Sequence, residues 1–119
     1  MGEPKTYTGS CHCGNVRYEV KADIQGLVSC NCSICGRTGA LLTFVPRGQF
    51  TLQSGEDKVT DYQFNKKKIH HYFCSTCGIR AYAYGTMPDG TPMAAINVRC
   101  LEDFDHDALP VKKFDGKSL

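Results

Sequence analysis

The chain has 119 residues, 41% of them apolar and 22% charged, a composition that suits one small globular domain and excludes a disordered or collagen-like polymer. Its formal charge of +2 falls to about −1 once seven cysteine thiolates and two divalent ions are counted, so no strong field points to a nucleic-acid partner. No apolar stretch approaches a membrane span and residues 1–8 lack the apolar run of a secretory leader, which favours the cytoplasm and reduced thiols.

Short segments of alternating apolar and polar residues follow one another along the chain, and each reads as a strand. The first covers residues 15–20, with Val16, Tyr18 and Val20 on one face; the others cover residues 59–64, 69–73, 79–84 and 93–98. Turn formers separate them: residues 36–39, Pro46-Arg47-Gly48, Ser54-Gly55, Gly85 and Pro88-Asp89-Gly90. Residues 101–109 offer the best short helix, carrying Glu102, Asp103, Asp105 and Asp107 and stopped by Pro110. There is no repeat, low-complexity tract or linker. The prediction is therefore an all-β protein, a single domain over residues 1–119, built of small antiparallel sheets with metal-binding loops.

The cysteines carry the chemistry. They fall into Cys11-His12-Cys13-Gly14, Cys30-Asn31-Cys32-Ser33-Ile34-Cys35-Gly36, Cys74-Ser75-Thr76-Cys77-Gly78 and a single Cys100. Thiolates two or three positions apart reach one tetrahedral ion through bonds of about 2.3 Å if the backbone between them turns tightly. A glycine after each group, at Gly14, Gly36 and Gly78, can take the positive φ that such a turn needs. Cys11, Cys13, Cys74 and Cys77 thus form a closed structural site; the spacing points to zinc or an iron–sulfur cluster and away from a disulfide framework, and a cytoplasmic all-thiolate tetrahedral site favours zinc.

The middle group supplies only three ligands. Three protein ligands with an open position suit a catalytic or ligand-binding zinc, but His70, His71, His12 or Cys100 would close the site if one of them came near. Cys100 reads as a packed, inert thiol, although Arg99 beside it could lower its pKa. A methionine-sulfoxide reductase with Cys100 as nucleophile would also combine an all-β core with four-cysteine zinc, yet it leaves the middle group unexplained.

These clusters, in this order, resemble the glutathione-dependent formaldehyde-activating enzymes, a family grouped with centromere protein V. The resemblance runs from Gly9-Ser10-Cys11-His12-Cys13-Gly14-Asn15-Val16-Arg17-Tyr18-Glu19-Val20 through Cys30-Asn31-Cys32-Ser33-Ile34-Cys35 and Phe73-Cys74-Ser75-Thr76-Cys77-Gly78 to Asn97-Val98-Arg99-Cys100-Leu101-Glu102-Asp103. It implies an Mss4-like (β-tent) fold and two zinc ions per chain. One is structural, at Cys11, Cys13, Cys74 and Cys77; the other is catalytic, at Cys30, Cys32 and Cys35. It further implies a carbon–sulfur lyase of the S-(hydroxymethyl)glutathione synthase type, with glutathione or a similar thiol and an aldehyde as partners.

Arg37, Lys66, Lys67 and His70 are the candidate contacts for the substrate's carboxylates or for proton transfer. On a strand only one of His70 and His71 can face the site. The competing reading is a non-catalytic zinc module that binds protein or nucleic acid, for which Lys66, Lys67 and Lys68 with Phe64, Tyr72 and Phe73 form the local candidate surface. A homo-oligomer is compatible with either reading.

Overall fold

The computed structural model describes residues 5–63 and 69–115. Ten strands and one short helix follow in chain order: β1 (Lys5–Ser10), β2 (Arg17–Ala22), β3 (Leu27–Cys30), α1 (Cys35–Thr38), β4 (Leu42–Pro46), β5 (Phe50–Ser54), β6 (Val59–Tyr62), β7 (His70–Cys74), β8 (Tyr82–Thr86), β9 (Pro92–Asn97) and β10 (Val111–Phe114). Strands β1, β2 and β5 form a three-stranded sheet. The other seven form a second sheet in the order β10-β3-β4-β9-β8-β7-β6. No helix among the described residues is long and apolar enough to cross a membrane.

Alternation builds the core where the sequence shows it. In β2, Tyr18, Val20 and Ala22 point inward while Arg17 and Lys21 are exposed; in β9, Ala94 and Ile96 are buried, and Val98 follows them. Phe50 of β5 lies between Tyr18 of β2 and Tyr82 of β8, with ring centroids 5.2 and 5.0 Å apart, so aromatic packing joins the two sheets. Cys11 and Cys74 belong to this main core. A smaller, separate cluster gathers Cys35, Ala40 and Leu42, with Val28, Cys30, Cys32 and Ile34 packed against it.

All five strands expected from alternation are present, with ends shifted by up to three residues. Strands β1, β3, β4, β5 and β10 lie outside those expectations. Residues Lys5-Thr6-Tyr7-Thr8-Gly9-Ser10 are largely polar, and β1 is held by antiparallel pairing with β2 from Lys5↔Ala22 to Ser10↔Arg17. All four residues of β10 are exposed, so no inside–outside pattern marks it. It also pairs parallel to β3, which makes the larger sheet mixed and not wholly antiparallel.

The helix expected over residues 101–109 does not form. One 3-10 turn, Val98–Cys100, precedes this stretch and another, His106–Ala108, lies within it; Asn97 and Asp105 each accept a hydrogen bond from the backbone N–H two residues on. These bonds cap the two short turns, whereas Leu101 is held extended by a bridge to Gly9 and Asp103 takes φ +52°, which breaks a continuous helix. The only helix among the described residues is α1, in a stretch expected to be a turn.

Gly55 stands at the turn after β5 with φ +94°, and a Cβ there would come within 2.5 Å of the Asn15 carbonyl oxygen and 2.8 Å of Val16 Cα. Both contacts are backbone, so neither can rotate away. Gly55→Ala should therefore destabilise the protein by about 2–3 kcal/mol in denaturant unfolding; an unchanged midpoint would contradict this packing.

Candidate metal centres

The first centre joins two tight turns. Cys11 and Cys13 lie between β1 and β2, and Cys74 ends β7 with Cys77 just beyond it. Gly14 and Gly78 follow these turns at φ +85° and +80°, the conformation expected of them. The Gly78 amide donates to the Cys74 carbonyl at 2.8 Å and the Gly14 amide to the Cys11 carbonyl at 3.3 Å, closing each turn. All four sulfurs lie within 4.8 Å of one another. The Sγ atoms of Cys11 and Cys13 are 3.6 Å apart, and those of Cys13 and Cys74 are 3.5 Å apart. A zinc–sulfur bond of about 2.3 Å gives a tetrahedral edge of about 3.8 Å, whereas a disulfide needs about 2.05 Å. The donor set therefore fits a tetrahedral ion and no bridge.

Backbone amides already face these sulfurs: Val16 donates to Cys11 at 3.3 Å, Thr76 to Cys74 at 3.4 Å and Cys77 to Cys74 at 3.5 Å. Burial resists ionisation of Cys77, yet the amides of Ile79 and Cys13 and the neighbouring thiols bring it down to about 6.

The second centre is built on the smaller cluster. Cys30 ends β3, Cys32 follows, and buried Cys35 begins α1. Their sulfurs also lie within 4.8 Å of one another, and no fourth His, Cys, Asp or Glu among the described residues joins them. Gly36 is helical here, its amide donating to the Cys32 carbonyl at 2.8 Å; the positive φ expected of it falls instead on Gly39, which caps α1 at φ +69°. The C-terminal strand braces the group. Phe114 is the register partner of Cys30, the Asn31 amide donates to the Phe114 carbonyl at 3.1 Å, and Asn31 Nδ2 donates to Asp115 Oδ1 at 2.9 Å.

Two charged side chains flank this group. Arg37, in α1, donates to the Ser33 carbonyl at 2.8 Å and lines a cleft of about 340 Å³ with Ser33, Ile34 and Tyr62. Arg80, which the sequence reading did not single out, donates from Nη1 to Cys35 Sγ at 3.7 Å. Burial pushes the metal-free Cys35 thiol up to about 11 against the pull of this guanidinium. The signal for Arg80 lay in its place, three residues past Cys77, but nothing in the sequence said that this loop reaches Cys35.

His70 and His71 separate as strand geometry requires. His70 hydrogen-bonds Asp61 at 2.7 Å and stacks with Tyr72, while His71 is buried. Burial lowers the His71 pKa to about 4, and the Arg80 guanidinium adds to the effect. Lys66 and Lys67 lie outside the described residues, as do Phe64 and Lys68. Tyr72, part of the surface considered for nucleic acid, is engaged with Tyr82 and Tyr84 at centroid distances of 5.1 Å.

Cys100 packs beside the main core. Burial pushes its thiol up to about 11, with Cys11 and Cys77 contributing, so the lowering considered from Arg99 is absent. The Arg99 guanidinium instead donates to the Gly39 carbonyl at 3.3 Å. A raised thiol is a poor nucleophile, which removes the ground for a reductase centred on Cys100.

The sequence model of the family described as "Glutathione-dependent formaldehyde-activating enzyme" matches residues 6–114. Among solved structures, a Rhodobacter sphaeroides protein from a structural genomics programme aligns with a TM-score of 0.77 and 29% identity, over 88% of this chain and 99% of that one.

Two outcomes follow from this geometry. A chain ending at Pro110 lacks the brace on Asn31 and Cys30, so it should bind metal at the second centre roughly tenfold more weakly in chelator competition and keep the first centre loaded. His71 titrates at about 6.5 when unfolded and about 4 when folded, so the stability from its neutral form is whole above pH 6.5 and lost as pH falls toward 4. In unfolding curves across that window, wild type should lose stability faster than His71→Gln; parallel losses would show that His71 is not the titrating group.

Proposed function

Because the chain belongs to the glutathione-dependent formaldehyde-activating enzyme family, we propose that it is a carbon–sulfur lyase that joins glutathione, or a similar thiol, to formaldehyde. The observation that carries this reading is the convergence of Cys30, Cys32 and Cys35 without a fourth His, Cys, Asp or Glu donor among the described residues, beside a cleft. We assign two zinc ions per chain, one structural at Cys11, Cys13, Cys74 and Cys77 and one catalytic at the group of three.

Zinc bound at the group of three would hold a substrate thiol as its thiolate, the nucleophilic form of sulfur. In the reaction, the glutathione sulfur bonds to the formaldehyde carbon, the carbon–oxygen double bond becomes single, and the proton from the thiol ends on the new hydroxyl. The protein's own groups orient and screen. Arg37 stands in the cleft as a partner for a substrate carboxylate, a role we extend to Lys66 and Lys67 from the sequence. His70 is exposed enough to exchange a proton and is oriented by Asp61. Neutral His71 lines the protein interior.

Separation of the two cores supports the division of labour. Cys11 and Cys74 sit in the main hydrophobic core, whereas Cys35 sits in the smaller cluster, so loss of a ligand should cost more stability at the first centre. Mass spectrometry of native protein should find two zinc ions in wild type, and one in both Cys32→Ser and Cys74→Ser. Only Cys74→Ser should lose much of its thermal stability. Cys32→Ser should also lose adduct formation from glutathione and formaldehyde. Wild-type protein with two zinc ions but no glutathione-dependent change in a cobalt-substituted sample would sink the lyase reading and favour a non-catalytic zinc module.

A further inference from the structure

The two centres differ in what neutralises their sulfurs. At the first, the hydrogen bonds come from backbone amides, those of Val16, Thr76, Cys77 and Ile79 among them, and among the described residues no arginine or lysine side chain bonds to the four sulfurs. At the second, amides also reach the sulfurs, from Cys32 to Cys30 Sγ at 3.4 Å and from Ile34 and Cys35 to Cys32, but they are joined by a full positive charge, Arg80 Nη1, at 3.7 Å from Cys35 Sγ. The charge is held in place from behind. Asn97 Nδ2 donates to the Arg80 carbonyl at 2.9 Å and the Asn97 amide to the Ala81 carbonyl at 3.1 Å, which ties the loop before β8 to the end of β9. Among the described residues no carboxylate forms an ion pair with Arg80, so its charge is not spent elsewhere.

We propose that Arg80 is a positioning residue of the second centre, whose guanidinium withdraws negative charge from Cys35 and so favours an anionic thiolate over neutral water as the fourth ligand. This rests on the reading of Cys30, Cys32 and Cys35 as an open, thiol-binding site. The physical need is specific to that site. Three thiolates around a divalent ion already leave a net charge of about −1, and a fourth makes it about −2 in a half-buried pocket, where an uncompensated charge is costly. An N–H···S bond from a cation lowers the electron density that Cys35 donates, leaving the metal a better acceptor for the incoming sulfur. At the closed centre four thiolates are permanent and need no such bias. Asn97 acts one step further out by fixing the Arg80 backbone.

The test uses cobalt-substituted full-length protein as wild type, Arg80→Met and Arg80→Lys. Three quantities are read: metal affinity at each centre by chelator competition, the energy of the sulfur-to-cobalt charge-transfer band, and the glutathione dissociation constant from the change in that band. Arg80→Met should shift the second-centre band to lower energy, because the Cys35 sulfur lone pairs are no longer stabilised. It should also weaken glutathione binding roughly tenfold, the usual scale for losing an outer-sphere partner. Arg80→Lys should recover part of both, since it restores the charge without the planar fork. If Arg80→Met loses the second metal altogether, retention of that metal by Arg80→Lys supports the charge role, and equal loss in both overturns it. Wild-type band energy and glutathione affinity in Arg80→Met also overturn it, even if thermal stability falls. A wild-type protein whose second centre ignores glutathione fails differently: it removes the thiol-binding reading, and this proposal with it.

Discussion

Four sulfurs from two turns, with Cys13 and Cys74 sixty-one residues apart in sequence and 3.5 Å apart in space, are the constraint on which the remaining architecture depends. One turn belongs to the three-stranded sheet and the other to the seven-stranded sheet. Bringing them together sets the two sheets face to face, and Tyr18, Phe50 and Tyr82 then fill the space between. A chain of this size buries only about two thirds of its unfolded surface, so a long-range tie by metal would supplement a modest core. Backbone amides aimed at Cys11 and Cys74 prepare the turns for anionic sulfur before any ion binds.

The second group obeys the opposite logic. Its three sulfurs rest on a small satellite cluster at one side of the larger sheet, bounded by β3, α1 and the exposed C-terminal strand. Little of the main core depends on it, which suits a site that exchanges a ligand. Its supporting contacts come from separated parts of the chain: Asp115 through Asn31, Arg80 to Cys35, and Asn97 behind Arg80. Both groups draw on local amides, and among the described residues the second adds a charged side chain from a distant part of the chain.

The two cysteine clusters that could hold metal were legible because ligand chemistry is local in its demands. Two thiolates close in sequence can share an ion only if the segment between them turns tightly, and that requirement is written as Cys-x-Cys or Cys-x-x-Cys followed by glycine. Gly14 and Gly78 fulfil it at φ +85° and +80°. Gly36 shows the limit of the same reasoning, for the turn after Cys35 winds into α1 and moves the positive φ to Gly39. The strands with one buried face, such as β2 and β9, were equally visible, since alternation records burial directly.

By itself, then, the sequence determined an all-β chain and the grouping of seven cysteines into clusters of four and three that could each hold a metal ion. What it left to the tertiary structure shares one cause: a contact between distant segments leaves no period or spacing in either of them. The exposed strand β10 and the polar strand β1 exist because partners pair with them, and the stretch after Cys100 departs from a helix where Leu101 bridges to Gly9. His70 and His71 could be assigned to opposite faces from strand geometry, but which face was buried depended on what β7 packs against. Arg80 carries no motif or spacing that ties it to the cysteines, and only the fold lays it against Cys35.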